Sequence, residues 1–128
     1  MKNIAIKENH LYNKAYKKGK RSVGKYTALY VLRDYRAHKI MLANPEKKYV
    51  NRLGIAVSKK TGNAVCRNRA KRIIRAAYRS IEPQLRTGFL VVIGARNAIV
   101  GAKSTDVEAE LRGAFGNLGM YRENGDQQ

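Results

Sequence analysis

Along this chain the apolar residues recur at two periods, and the change from one to the other marks the elements. Between residues 6 and 18 the spacing is helical. Leu11 and Ala15 stand four apart, as do Tyr12 and Tyr16; Lys14, Lys17 and Lys18 gather toward the C-terminal end, and Gly19 supplies a stop. Residues 25–33, KYTALYVLR, alternate instead, with Tyr26, Ala28, Tyr30 and Leu32 on one face and Thr27, Leu29 and Val31 on the other, the period of a strand. A second strand is predicted over 52–58, RLGIAVS, where Leu53, Ile55 and Val57 alternate with Gly54, Ala56 and Ser58. The small face leaves either a shallow floor that a ligand backbone could approach or room for a helix to pack closely.

Helical spacing returns over 64–80, after the turn Thr61-Gly62-Asn63 and before Pro83. GFLVVIG at 88–94 is a continuous apolar run that suits a buried parallel strand. Thr105-Asp106-Val107-Glu108 reads as a capping box opening a last helix at 105–118, with Val107, Leu111, Phe115 (or Ala114) and Leu118 as its apolar stripe. Residues 34–51 are less regular: Lys39-Ile40-Met41-Leu42 could extend a strand, while Asn44-Pro45-Glu46-Lys47 has turn chemistry. They read as a long strand-to-strand excursion. The order is therefore α-β-β-α-β-α, and strand 52–58, helix 64–80 and strand 88–94 form a βαβ unit. The expected architecture is one α+β domain over residues 1–119, helices against a small mixed sheet, with a frayed polar tail at 120–128.

The helix at 64–80 has two unlike faces. With Val65 at zero and about 100° per residue, Ile73, Cys66, Ala77, Ala70, Ile81 and Ile74 fill an arc of roughly 80–180°. Arg67, Lys71, Arg75, Asn68, Arg79 and Arg72 fill roughly 200–340°, and Arg69 sits apart on the other flank. Residues 56–79 carry eight basic residues and no acid. No carboxylate stands at i±4 to make this arc a salt-bridge surface, so simple solvated charge is a weak account of it. A packed face backed by a guanidinium face is built to meet a polyanion, because arginine binds phosphate through forked, charge-assisted hydrogen bonds. Asn68, neutral within the arc, suits a base, a phosphate or water around an RNA-held metal, or is a plain surface amide.

Composition extends that picture to the whole chain. The net charge is +18 over 128 residues, and residues 1–103 hold 25 basic side chains against four acidic ones. Such a chain repels itself until something neutralises it, and nucleic acid does so with a regular array of phosphates. An anionic membrane is the rival, weakened by the lack of bulky Leu, Phe or Trp opposite the charge. One cysteine, Cys66, excludes an internal disulfide and fits a reducing compartment. No apolar run approaches a membrane span, and MKNIAIKENH lacks the apolar core of a signal peptide. A cytoplasmic chain without membrane partners is expected.

A protein active site is harder to find. His10 and His38 lie on different predicted elements with no Cys, Asp or Glu at metal spacing; a His/His/Lys ribonuclease is the sharp reading, surface residues the bland one. Glu8, Asp34, Glu46 and Glu82 are scattered where turns and helix ends would put them, and there is no phosphate loop or dinucleotide fingerprint. Cys66 falls on the apolar side of its helix and reads as a small core residue. No catalytic residue and no protein-held metal are expected. Tyr12 and Tyr16 read equally as core packing or as rings that stack on unpaired bases beside a basic surface.

RLGIAVSKKTGNAVCRNRAKRIIRAAYR resembles the signature of the protein subunit of bacterial ribonuclease P. In that family a strand ending in Ser-Lys-Lys leads through Gly-Asn-Ala-Val into an Arg-Asn-Arg helix, here Ser58, Lys59, Lys60, Gly62, Asn63, Ala64, Val65, Arg67, Asn68 and Arg69, continued by Lys71, Arg72 and Arg75. Two aromatics four apart before a basic stretch and glycine match Tyr12, Tyr16 and Gly19; a strand tyrosine matches Tyr30, and Ala95-Arg96 match the end of a later strand. The resemblance implies an α/β sandwich whose βαβ crossover is left-handed, against the general rule. It implies an endoribonuclease holoenzyme that hydrolyses one phosphodiester to remove the 5′ leader of precursor tRNA, with catalysis in the RNA subunit and Mg2+ held mainly there. By the same resemblance Lys59, Lys60, Arg67, Asn68, Arg69, Lys71, Arg72 and Arg75 bind the catalytic RNA. Tyr12, Tyr16, Tyr30 and Ser58 line a cleft for the single-stranded leader, and no obligate protein partner is implied. The sequence departs from the family's pattern in its longer 33–51 segment, in the absence of a proline often found after Arg96, and in Tyr for the commoner Phe at 12 and 16. A basic ribosomal protein or RNA chaperone, or a stand-alone nuclease, would share the size and charge.

Overall fold

The computed structural model describes residues 4–5, 9–34 and 51–122. Among these, the chain runs through β1 (Ile4–Ala5), α1 (Asn9–Lys18), β2 (Lys20–Val23), β3 (Thr27–Arg33), β4 (Arg52–Ala56), α2 (Ala64–Ile81), β5 (Phe89–Ala95) and α3 (Ser104–Asn117). The five strands make one sheet in the order β1-β4-β5-β3-β2. β4 pairs with β5 in parallel, joined through α2 as the βαβ unit requires, and β3 runs antiparallel to β5. Two strands were missing from the expected order. β2 pairs antiparallel with β3, and β1 pairs parallel with β4. β2, KRSV, is largely exposed, so it carries no alternation to read; its Lys20 and Arg21 are the charges that keep a sheet edge from pairing further.

The alternation of each strand sorts side chains to two faces. Leu29, Val31, Leu53, Val91 and Ile93 point to one face and form a single core with Ala70, Ile73, Ile74, Ala77, Tyr78 and Ile81 of α2 and Val107, Leu111, Ala114 and Phe115 of α3. The other face carries a smaller cluster, in which Leu11 and Ala15 of α1 meet Leu90 and Val92, with Tyr12, Tyr30 and Leu32 beside them. The sheet is thus covered by two helices on one side and by the short α1 on the other. Where α1 ends, Gly19 lets the backbone pass closely, since a Cβ there would stand 2.6 Å from the Ala15 carbonyl oxygen and 3.0 Å from that of Val31.

Several polar groups act as ties. The Asp34 carboxylate receives Arg52 Nε–H at 2.6 Å and Nη2–H at 3.0 Å, with both side chains buried. Asn51 donates to the Arg86 carbonyl at 2.9 Å and accepts from Phe89 N–H at 3.0 Å. The ends of the predicted 34–51 excursion are therefore pinned, and its interior lies outside the described residues. Glu110 on α3 accepts the backbone N–H groups of Lys25, Tyr26 and Thr27, and the Thr27 hydroxyl at 2.8 Å, which fixes the β2–β3 turn. Asp34 and Glu82 stand at a strand end and a helix end, as expected, and both are buried there.

Two boundaries differ from expectation. α3 is capped at Lys103 rather than Thr105, with only half of a capping box: Asp106 Oδ2 accepts from Lys103 N–H at 3.4 Å, and the lysine side chain has no acceptor to return the bond. The expected fraying at 120–128 does not begin at 120. Met120 is buried, Tyr121 bridges to Leu85, and Arg122 donates its backbone N–H to Gln84 and its Nε–H to Leu85; residues 123–128 lie outside the described set.

Tyr78 is fully buried although a wheel puts it near 220°, inside the cationic arc. Burial, and then the adjacent Glu82 carboxylate, push its hydroxyl well above the ordinary tyrosine value. A tyrosine harder to ionise when folded lends stability that is complete below the unfolded value of about 10 and is lost as pH rises past it. Stability should therefore fall above about pH 10, and Tyr78→Phe should flatten that fall in a Tm series from pH 8 to 11. An unchanged slope would take Tyr78 out of the fall and leave it to the other tyrosines that burial raises, Tyr12, Tyr16 and Tyr121.

Candidate nucleic-acid interface

The register of the sheet builds a cleft. On the face that carries α1, cross-strand neighbours form rows: Leu32-Leu90-Arg52, then Tyr30-Val92-Gly54, then Ala28-Gly94-Ala56. α1 lies over the first two rows. Tyr12 packs onto Gly54 so closely that a Cβ there would stand 2.7 Å from its ring and hydroxyl. The third row, made only of small residues, stays open. Around it Tyr16, Ala28, Tyr30, Ala56, Val57, Ser58, Gly94, Ala95 and Arg96 line a cleft of about 430 Å³. Tyr16 and Tyr30 meet edge to face across its wall, centroids 4.9 Å apart and planes at 75°. Both readings of the small-residue face hold, at different rows: a helix packs at Gly54, and a floor lies open at Ala56.

Three of the four residues expected in a leader cleft are therefore together, and the fourth is not. Tyr12 stands beside the cleft in the α1 cluster, its hydroxyl raised in pKa by burial, against which a hydrogen bond from the backbone of Ile55 works. Tyr16 is also raised, first by burial and then by Tyr30 and Tyr12, so its hydroxyl stays protonated and neutral beside any phosphate. Ala28, Val57 and Gly94 join the cleft without having been expected there, and Ala95 and Arg96 were expected only as a family match. The signal was present in Ala28, Gly94 and Ala56, but it needs the strand register to bring them side by side. Beyond Arg96 a second open concavity of about 520 Å³ is lined by Lys25, Arg96, Asn97 and Ala98, and Arg96 closes the wall between them by donating to the Gly24 carbonyl.

The loop from Ser58 to Asn63 carries the chain from the cleft to the cationic helix. Ser58 Oγ accepts from Lys60 N–H at 3.2 Å and caps a single 3₁₀ turn, Lys59–Thr61, that displays both lysines to solvent. Gly62 follows at φ +146°, where a side chain would be strained and would crowd the Cys66 Cβ at 3.0 Å. Asn63 then caps α2, its Oδ1 accepting from Cys66 N–H at 3.0 Å. From there Asn68, Arg72, Arg75 and Arg79 are exposed on one face, with Arg67 and Lys71 half-buried at its edge. Arg69 does not join them. It turns to the opposite flank and donates to the Ala102 carbonyl at 2.8 Å. Cys66, expected in the core, is half-buried instead.

His10 is exposed, and His38 lies outside the described residues. Among the described residues no three His, Cys, Asp or Glu side chains converge as a metal site. Nor is any helix among them long and apolar enough to cross a membrane. What the arrangement offers is recognition: an arginine face on one side of the sheet and an aromatic-walled cleft on the other.

Known proteins resemble this chain over most of its length. Residues 1–119 match the model of the family described as Ribonuclease P. The chain is 36% identical over 120 residues to the Ribonuclease P protein component of Clostridium acetobutylicum, covering 94% of this chain and 92% of that protein. It is 37% identical over 106 residues to that of Shouchella clausii, covering 83% and 78%. Among solved structures, the RNase P protein of Staphylococcus aureus superposes with a TM-score of 0.73 at 26% identity, over 94% of this chain and all of that one.

Proposed function

The chain belongs to the Ribonuclease P protein family, and from that premise we propose how its two surfaces divide the work. Its role is in tRNA 5′ leader processing, as part of a ribonuclease complex with an RNA partner and precursor tRNA; a ribosomal protein or general chaperone is not favoured. In our reading α2 and the lysine turn bind the catalytic RNA through Lys59, Lys60, Arg67, Asn68, Arg69, Lys71, Arg72 and Arg75. The cleft holds the single-stranded leader, with Tyr16 and Tyr30 stacking on bases and Ser58 at the floor. Tyr12 acts beneath them, seating α1 on Gly54. The hydrolytic step lies in the RNA, with magnesium held mainly there, and the complex works in the cytoplasm without an obligate protein partner. The observation that carries this reading is the open row Ala28-Gly94-Ala56, which leaves a small-floored, aromatic-walled slot, edged by Arg96, on the sheet face opposite the arginines of α2. Duplex RNA rewards a cationic face, whereas unstacked bases reward a slot with aromatic walls.

Reconstitution tests it. The chain, a bacterial ribonuclease P RNA and precursor tRNA at low magnesium should cleave the leader faster than the RNA alone. No acceleration would remove the chain from the reaction, and cleavage by the protein alone would place catalytic groups in it. The RNA-docking surface has a separate signature. Arg67→Ala with Arg75→Ala should weaken binding to the catalytic RNA and reduce the slope of log K against log salt by up to about 2, near 0.9 for each phosphate that is no longer neutralised. A slope equal to wild type would take this face out of the interface.

A further inference from the structure

Arg67 and Arg69 stand two residues apart, which puts them about 160° apart around a helix. They mark the two edges of the exposed half of α2. Arg67 borders the core, its Nε enclosed without a hydrogen-bond partner, while Arg69 is held to the Ala102 carbonyl on the far side. Beside that bond runs a groove of about 210 Å³ lined by Cys66, Arg69, Ala70, Ile99, Val100 and Gly101. Val100 is 51% exposed, and Val65, one turn before Arg69 on α2, is 73% exposed. A single exposed valine means little, but Val100 lines the groove with Ile99 and Ala70, and Val65 stands one helical turn from the Arg69 at its edge, so the apolar lining has an exposed mouth.

The surroundings limit what can enter. Arg67, Arg69, Arg72 and Lys103 lie on the elements that frame the groove, and the nearest acid along the chain, Asp106, is turned to the Lys103 backbone. A second copy would bring its own +18 against this charge, a like-charge encounter that opposes association. A flat duplex face meets one side of a helix. Engaging both Arg67 and Arg69 requires a strand that bends around the N-terminal end of α2, and the bases recognised at such bends are unstacked.

We propose that this groove takes one unstacked base of the RNA that α2 binds, seated against Ile99 and Val100 with Val65 toward its rim and the Arg69 guanidinium at its edge, an inference that rests on α2 being the RNA-docking helix. Apolar packing against a base releases no counterions, so removing it should lower affinity without changing salt dependence.

The test measures binding of the full chain to a bacterial ribonuclease P RNA across a salt series. V65A with V100A should bind about tenfold more weakly with the slope of wild type, and circular dichroism should show the fold intact. Cys66, the single cysteine, lines the groove, so its alkylation by iodoacetamide should slow at least tenfold at saturating RNA. Unchanged affinity in the double variant, or equal alkylation with and without RNA, overturns the proposal while a lowered slope in Arg67→Ala with Arg75→Ala leaves the docking helix standing. If that arginine pair has no effect, the docking reading itself fails. If the free wild-type chain self-associates and the valine variant does not, the groove belongs to a second copy and the proposal is overturned.

Discussion

Arg52→Ala is expected to cost about 3–5 kcal/mol of folding stability, more than truncating any exposed arginine of this chain. The change removes the bidentate cation from a carboxylate whose side chain is only 3% exposed. Removing one partner of a buried pair leaves the other charge desolvated, and that cost exceeds what the intact pair contributed. Urea denaturation should show the loss, and Asp34→Ala introduced on top should add less than its own single cost, since the two side chains share one interaction. A loss under about 1 kcal/mol would class the pair with exposed salt bridges. The consequence reaches the cleft. Arg52 opens β4 and Asp34 follows β3, so the pair holds together the two ends that bracket β5, and the open row Ala28-Gly94-Ala56 depends on that three-strand register.

Tyr16→Ala should weaken binding of leader-bearing precursor tRNA by about 1–3 kcal/mol, the scale of one stacked base, while leaving the affinity for mature tRNA unchanged. Tyr16 is 39% exposed and touches Tyr30 edge to face, so the change removes a wall of the cleft more than a piece of the core. Tyr16→Phe should keep most of the affinity, because stacking needs the ring. Equal weakening toward both RNAs would make Tyr16 a folding residue. With its hydroxyl raised by burial, the wild-type preference should hold up to about pH 10, since no phenolate forms to repel the phosphates.

Much of the fold was legible along the chain, and the reasons are local. α2 carries its own evidence: a run of apolar residues at helical spacing, a Thr-Gly-Asn entry, and arginines with no acid at i±4. β3, β4 and β5 show alternation or a continuous apolar run, and the βαβ unit follows from their order. The tyrosines were ambiguous for a physical reason. Residue type and spacing say that Tyr12 and Tyr16 share a helix face, but not how far α1 reaches over the sheet. The structure divides them, Tyr12 packed on Gly54 and Tyr16 at the edge of the open row. Arg69 was visible as an outlier on the wheel, yet its bond to Ala102 and the groove beside it depend on where the chain returns after β5.

By itself, then, the sequence determined what is periodic and what is charged: the elements with an apolar face, the βαβ order, the cationic arc of α2, and the signature that the family match confirmed. Tertiary structure alone decided what depends on partners distant in the chain. β2 is polar and becomes a strand only because β3 offers its edge. Tyr78 is drawn out of the cationic arc into the core, in a tilted contact with Phe115 of α3. Glu110 reads as one acid on a helix until three backbone N–H groups from residues 25–27 converge on it. The cleft itself exists because three small residues, of which only Ala56 stood out in its own strand, fall into one row that α1 does not cover. A pattern along the chain records which way a side chain points; only the register between strands records what stands next to it.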